Sequence, residues 1–409
     1  MIDSLVLDAG DRAAPFPDHP TQVPMAPATV PDRIREFLDR TAPPTPCLVV
    51  DLDIVRDRFL AVRAALPTAR ICYAVKANPA PEVIALLAEL DAGFDVASTA
   101  EITLCLANGA RPESLAYGNT IKKPADIAFA HRHGVSLFTT DSLGDIEHIA
   151  RYAPGARVFC RVLVQPPGAA TPFGRKFGCD EEMACEILLR ATEFGLRAHG
   201  VSFHVGSQQT DPYAWRGGIE QAARIGRRMA DAGVQLPMIN LGGGFPARYR
   251  TDVPTMADCA AAIGECLDEQ FADHQPRPLI EPGRAVVADA GVIRSEVVLV
   301  ARKSATDEHR WVYLDIGRYS GLAETEGEMI TYQLASARPG PDGPVVLAGP
   351  TCDGDDVIYQ RTPYRLPLAM ASGDHVDILC AGAYTASYSS VSFNGFAPLP
   401  TYCVRTSRS

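Results

Sequence analysis

Lysine is scarce in this chain. Lys76, Lys122, Lys123, Lys176 and Lys303 are its only lysines, set against many arginines. A guanidinium does not condense with a carbonyl, whereas an amine does, so few residues are candidates for imine chemistry. Lys76 closes an apolar run in YAVKANP. It admits two readings. One is a surface lysine laying its aliphatic stem along a strand end. The other is an imine-forming amine, which partial withdrawal from water strips of its proton and makes nucleophilic.

Other polar residues fall at the ends of apolar segments: Asp95, Asn119, Asp141, Arg161, His204, the glycines at 242–244, and Glu281. The glycine triplet is either a tight turn or a cradle whose bare N–H groups approach an anion. Glu281, in EPGR, either pairs with Arg284 or holds a protonated ring nitrogen, which would make that ring an electron sink for a carbanion. His204 is either a satisfied core imidazole or a flat face for a planar ligand. Near the C-terminal end, CDGDD sets Cys352 beside three carboxylates. That is an acidic turn, or a site for a cationic substrate end with Cys352 as proton donor. Periodicity does not choose between these readings.

The elements that must position these residues have a clear rhythm. Short β-branched runs at 70–76, 93–97, 114–119, 136–141, 157–164, 199–206, 237–243 and 278–283 alternate with helix-like stretches such as PEVIALLAEL and EEMACEILLRATEF. Such alternation predicts a parallel sheet, and eight units predict a closed (β/α)8 TIM barrel, an α/β fold with its site at the C-terminal ends of the strands. The predicted barrel spans 53–290. After it, strand-like runs without long helices predict a mostly-β domain over 291–409, joined by the early strand at 44–52. Residues 1–43, rich in Pro, Asp and Ala, read as a flexible or loosely packed extension.

Composition narrows the function classes. A formal net charge of -11 repels phosphate backbones, so nucleic acid is not an expected partner. No apolar run is long enough to span a bilayer, and no secretory signal is expected at the N-terminus. The eleven cysteines form no CxxC pair, which fits reduced thiols in a cytoplasmic protein. The histidines have no metal-ligand spacing, and no metal is expected.

Nine segments in order, YAVKANP, FDVAS, KFG, SFHVGSQ, LGGGFP, EPGR, GPTCDG, GAY and FNGF, resemble the ornithine/diaminopimelate/arginine decarboxylase family with its alanine-racemase-like, pyridoxal-phosphate-binding fold. The resemblance covers roughly 45–405. CDG followed by a further Asp looks most like bacterial ornithine decarboxylases. The resemblance implies that Lys76 carries pyridoxal 5'-phosphate, with Asp95 and Glu101 supporting it and Arg161 ordering the site. It implies that His204 stacks on the ring and Glu281 pairs with the pyridine nitrogen. Ser207, Gly243, Gly244, Gly283, Arg284 and Tyr384 would hold the phosphate. Cys352 would reprotonate Cα after carbon dioxide leaves, Asp353 would bind the distal amine of a small cationic amino acid, and Phe393 would lie near it. In the family Cys352 and Asp353 reach the neighbouring subunit's cofactor, which implies a homodimer with shared sites, bridged by Lys176 and Asp356.

The implied reaction is decarboxylation of L-ornithine to putrescine, in polyamine biosynthesis. The region YSGLAETEGEMITYQL has no clean counterpart of the family's second acidic residue near the distal amine, and Glu324 is the candidate. Substrate length therefore stays open between ornithine, lysine, both, or another cationic amino acid. Diaminopimelate fits less well, because its decarboxylases place Glu after the cysteine where this chain has Asp353. Racemases of the fold place an arginine near the pyridine nitrogen, where this chain has Glu281. A catalytically inactive regulatory homologue is the alternative from another class, disfavoured by the presence of Lys76, His204, Glu281 and Cys352.

Overall fold

The computed structural model describes residues 29–172, 174–271 and 275–406. Eight parallel strands close into a barrel: Arg70–Ala74, Gly93–Val96, Leu115–Tyr117, Leu137–Thr140, Arg157–Arg161, Arg197–Ser202, Met238–Asn240 and Arg277–Ile280. Helices follow the strands and cover the outside. Strand residues alternate between two faces. Tyr73 and Phe94 pack outward into the main core, whereas Cys72, Ala116, Leu137, Phe159, Met238 and Leu279 form a separate cluster that plugs the barrel. Two residues on from Cys72, Ala74 opens onto the cavity above that plug.

The first strand ends earlier than its apolar run suggests. It stops at Ala74, and Val75–Ala77 form a 3-10 turn that lifts Lys76 to the mouth of the barrel. Side-chain caps start several of the covering helices. Ser98 accepts from the N–H of Glu101, Ser142 from that of Asp145, and Thr255 with Asp258 forms a reciprocal capping box.

The remaining strands build a mostly-β domain. In it Gln333–Ala335, His375–Leu379, Gly291–Ala301, Arg310–Leu314, Asp342–Ala348 and Val357–Pro367 are neighbours in that order. Cys47–Asp51 pairs antiparallel with Gly291–Ala301 and parallel with Thr401–Val404. The reading of 1–43 as a loose extension needs correction from residue 29 onward, while residues 1–28 lie outside the described residues. Asp32–Thr41 is a helix. It buries Ile34 and Leu38, one turn apart, against Cys47, Val49, Val292 and Leu379. Arg33 fixes its start by donating to Asp51 at 2.6 Å.

One buried cation ties barrel loops together below the mouth. The Lys122 side chain is fully enclosed, and its ammonium donates to the carbonyls of Asn119, Thr120 and Thr139 and to Asp145 Oδ2 at 2.7 Å. Burial pulls its proton affinity down, and the Asp145 carboxylate opposes that. Every proton of this amine is in use, so Lys122 is not available for imine chemistry. Replacing Lys122 by Met strands Asp145 without its cation. We expect a loss of about 3–5 kcal/mol in denaturant unfolding. Adding Asp145→Leu is expected to recover much of that loss.

Candidate active site

At the C-terminal ends of the barrel strands lies a cavity of about 300 Å3. It is lined by Lys76, Asp95, Arg161, His204, Ser207, Gly243, Gly244, Glu281, Gly283, Arg284, Glu324 and Tyr384, together with Asn119, Phe177 and Tyr388. Lys76 is the one lysine among these. Lys303, by contrast, lies over the Trp311 ring in the β domain.

Lys76 donates to Asp95 Oδ2 at 2.7 Å, and about half of its side-chain surface, 46 %, opens into the cavity. Burial on its other sides favours the neutral amine, but the carboxylate of Asp95, then Tyr384 and Glu281, outweigh it and hold the ammonium well above the ordinary lysine range. This corrects the expectation of an amine that loses its proton easily: desolvation acts as expected, and the facing anions win. The second oxygen of Asp95 is a buried acceptor with no hydrogen bond. Gly118 makes room for it, since a Cβ there would sit 1.8 Å from Asp95 Oδ1.

Glu281 accepts from Asn240 Nδ2 at 2.6 Å. Burial and then Asp95 push its carboxyl up to about 7, against the pull of Lys76 and Arg161. A carboxyl of that affinity shares a proton readily at neutral pH. The Nδ1 atom of His204 accepts from the N–H of Gly206 at 3.0 Å. Burial, followed by Arg161 and Lys76, keeps the imidazole neutral by pulling its proton affinity far down. Arg161 lies over the Phe177 ring at 4.9 Å. Its segment is held by Asp141, which accepts from the N–H of Gly178 at 2.9 Å.

The opposite end of the cavity is a glycine cradle. A Cβ on Gly243 would meet the Glu281 carbonyl at 2.6 Å, and one on Gly244, where φ is +95, would meet the Gly206 carbonyl at 2.5 Å. The Gln208 side chain clamps this loop by bonding both the carbonyl and the N–H of Ala247. Arg284 donates to Ser207 Oγ at 3.0 Å and to Tyr249 Oη at 2.6 Å, and the Tyr384 ring lies 4.9 Å from its guanidinium. Both carboxylate oxygens of Glu324 are taken by Arg284, at 2.8 and 2.6 Å. The expectation of Glu324 as a receptor for a distal amine is therefore not what the geometry offers.

Some predicted residues stand apart from the cavity lining. Glu101 turns to the backbone and accepts from the N–H of Ala97 at 2.6 Å. Cys352 and Asp353 are exposed on the β domain. Asn394 accepts from the N–H of Cys352 at 3.1 Å, and the neighbouring Phe393 packs on Tyr319 with ring centroids 4.7 Å apart. These residues form a second cluster. Asp356 is buried and accepts from Arg318 N and from both Thr351 N and Oγ1, so the described chain spends it internally rather than presenting it to Lys176.

Comparison with known proteins matches this arrangement. The family described as pyridoxal-dependent decarboxylase, pyridoxal binding domain, matches residues 52–288. The chain belongs to the pyridoxal-dependent decarboxylases. It is 34 % identical over 360 residues to a lysine/ornithine decarboxylase of Selenomonas ruminantium, covering 88 % of this chain and 89 % of that one. It is 32 % identical over 368 residues to antizyme inhibitor 2 of Xenopus laevis, covering 87 % and 80 %. The crystal structure of lysine/ornithine decarboxylase complexed with cadaverine from Vibrio vulnificus superposes with a TM-score of 0.82 at 31 % identity, covering 91 % and 97 %.

The cofactor fits what this decarboxylase provides. An amine, a carboxyl of shifted affinity, a neutral flat imidazole and a glycine cradle beside a buried arginine surround one cavity, as an aldehyde-bearing pyridine with a phosphate tail requires. Asn240, Gly118 and Asn78 were missed from sequence. Asn78 bridges the domains by donating to the Gly382 carbonyl at 2.8 Å, beside the bond from Tyr384 N to the Ala77 carbonyl. Asn240 stood two residues before the glycine triplet, where a strand-end reading could have found it.

Asp95→Asn is expected to lower the proton affinity of Lys76. The pH midpoint for reductive trapping of added pyridoxal phosphate, with the trapped lysine mapped by mass spectrometry, should fall. Gly118→Ala should shift the midpoint the same way by forcing Asp95 aside. An unchanged midpoint in both would refute the charge assignment.

Proposed function

We propose that this decarboxylase removes the α-carboxyl group of a basic amino acid, with L-ornithine as substrate and putrescine as product. The observation that carries the reading is the single cavity where Lys76, Glu281 and the Arg284 cradle meet. Pyridoxal phosphate, when bound, supplies an electron sink for the pair left at Cα as carbon dioxide departs. Lys76 is the residue to carry it, Glu281 to meet the pyridine nitrogen, and His204 to lie against the ring. Ser207, Gly243, Gly244, Gly283, Arg284 and Tyr384 bind the phosphate, while Asp95 orients Lys76 and sets its proton, with Arg161 balancing the local charge.

Cys352 delivers a proton to Cα, and Asp353 receives the distal ammonium with Phe393 beside it. Because the three lie outside this cavity in their own chain, the reading requires a second copy to bring them in, and the protein works as a homodimer with shared sites. Its eleven free thiols fit a reducing compartment such as the cytoplasm. Lysine is the second substrate reading. It is favoured by the Selenomonas and Vibrio relatives, whose names carry both amino acids. The similarity to antizyme inhibitor 2 favours a non-catalytic role, and the retention of Lys76, His204, Glu281 and Cys352 argues against it.

Incubation with ornithine, lysine, arginine and diaminopimelate in parallel, followed by product analysis, tests the substrate. Putrescine from ornithine is expected, and Lys76→Ala should abolish carbon dioxide release. No product from any cationic amino acid would refute the reading. A mixing experiment tests the dimer. Lys76→Ala and Cys352→Ala proteins, each nearly inactive, should regain up to about a quarter of wild-type rate when exchanged, since half the dimers then hold one intact site. No recovery under conditions of demonstrated subunit exchange would rule out shared sites.

A further inference from the structure

Arg284 is almost fully buried, and the four protons on its two terminal nitrogens all have acceptors. Two of those acceptors are the carboxylate oxygens of Glu324, in a side-by-side pair that is the strongest geometry open to a guanidinium. The position of Glu324 is fixed by its own segment. Ala323–Glu328 forms two short 3-10 turns joined across a kink at Glu326 and Gly327, and it is anchored by Glu328, whose carboxylate accepts from the N–H groups of Gln360, Arg361 and Thr362 at 2.9, 2.8 and 2.6 Å. Thr325 adds a bond from its hydroxyl to the Leu322 carbonyl. Glu324 is thus a built-in counterion of the cation at the glycine cradle.

This has a consequence for any anion bound there. A phosphate monoester carries about -1.5 to -2 charges near neutral pH. Arg284 and Glu324 together contribute none, so at this end of the cavity the ester must enter a buried site beside a guanidinium that is already neutralised. Like charges facing each other at low dielectric cost heavily. We propose that Glu324 is a positioning residue that sets cofactor affinity: by pairing with Arg284 it weakens the hold on the phosphate group and keeps the cofactor exchangeable. The inference rests on the reading that the phosphate lies at the Arg284 end, and it assigns Glu324 to the cofactor rather than to the substrate's distal amine.

Cofactor-free protein is titrated with pyridoxal phosphate and with pyridoxal, which lacks the phosphate. Binding is followed by quenching of tryptophan fluorescence in wild type, Glu324→Gln, Glu324→Asp and Ser207→Ala. Glu324→Gln removes the charge and is expected to bind pyridoxal phosphate about tenfold more tightly or better, with pyridoxal almost unaffected. Glu324→Asp retracts the carboxylate and should fall between, which keeps the test decisive if the glutamine variant does not fold. Unchanged or weaker pyridoxal phosphate binding in the folded variants overturns the proposal. Failure of the underlying reading looks different: Ser207→Ala would then weaken both ligands equally instead of pyridoxal phosphate alone.

Discussion

The contact between Lys76 and Asp95 is the constraint to which the rest of the barrel mouth answers. The amine proposed to carry the cofactor sits 2.7 Å from a carboxylate that keeps it charged. A buried carboxylate is costly unless paired, and an ammonium facing Asp95 and Glu281 is cheap to keep protonated. The pair fixes where the amine points, and its position in turn needs the bare face of Gly118. Around it the charges nearly balance, with Lys76 and Arg161 opposing Asp95 and Glu281. The affinity of Glu281 near 7 is the residue of that balance, with burial and Asp95 pushing it up against Lys76 and Arg161.

The second domain completes the site. Tyr384, Tyr388 and Glu324 come from it and line the cavity opposite barrel residues that include Arg284, Ser207, the glycines and Lys76. Two short bonds hold the halves in register, from Asn78 to Gly382 and from Tyr384 to Ala77. The two residues that follow Lys76 are therefore tied to the segment that carries Tyr384. A change in the seating of the β domain would move both ends of the cavity at once.

Much of this was legible in the sequence for a geometric reason. A parallel barrel sends one residue per strand to the same rim, so the last polar residue of each apolar run names the site without knowledge of its contacts. Lys76, Asp95, Arg161, His204 and Glu281 were found in this way. What was not legible depends on partners far along the chain. The proton on Lys76 follows from Asp95 and Glu281 facing it, and strand ends alone give no distances. Glu324 reads as a free carboxylate until Arg284 is seen to occupy both its oxygens. Gly118 looks like any loop glycine, because its role is the space it leaves for Asp95. The helix Asp32–Thr41 was hidden by its shortness and by the prolines around it; its two buried residues matter only once the strand Cys47–Asp51 lies beneath them.

The exposed cluster around Cys352 continues the logic of the cavity outward. Tyr388 lines the cavity, yet about half of its surface faces solvent, and Val391, Phe393 and Phe396 follow it on the surface, Val391 at 78 % exposure. An apolar stretch of this kind beside a charged mouth is poorly placed in water. A site that expels carbon dioxide from an ionic substrate gains from a dry, low-dielectric wall. The same surface carries Cys352 and Asp353, the groups that the proposed chemistry needs and the chain's own cavity lacks. In the proposed dimer, a second copy of this surface would both close the mouth and bring in the proton donor.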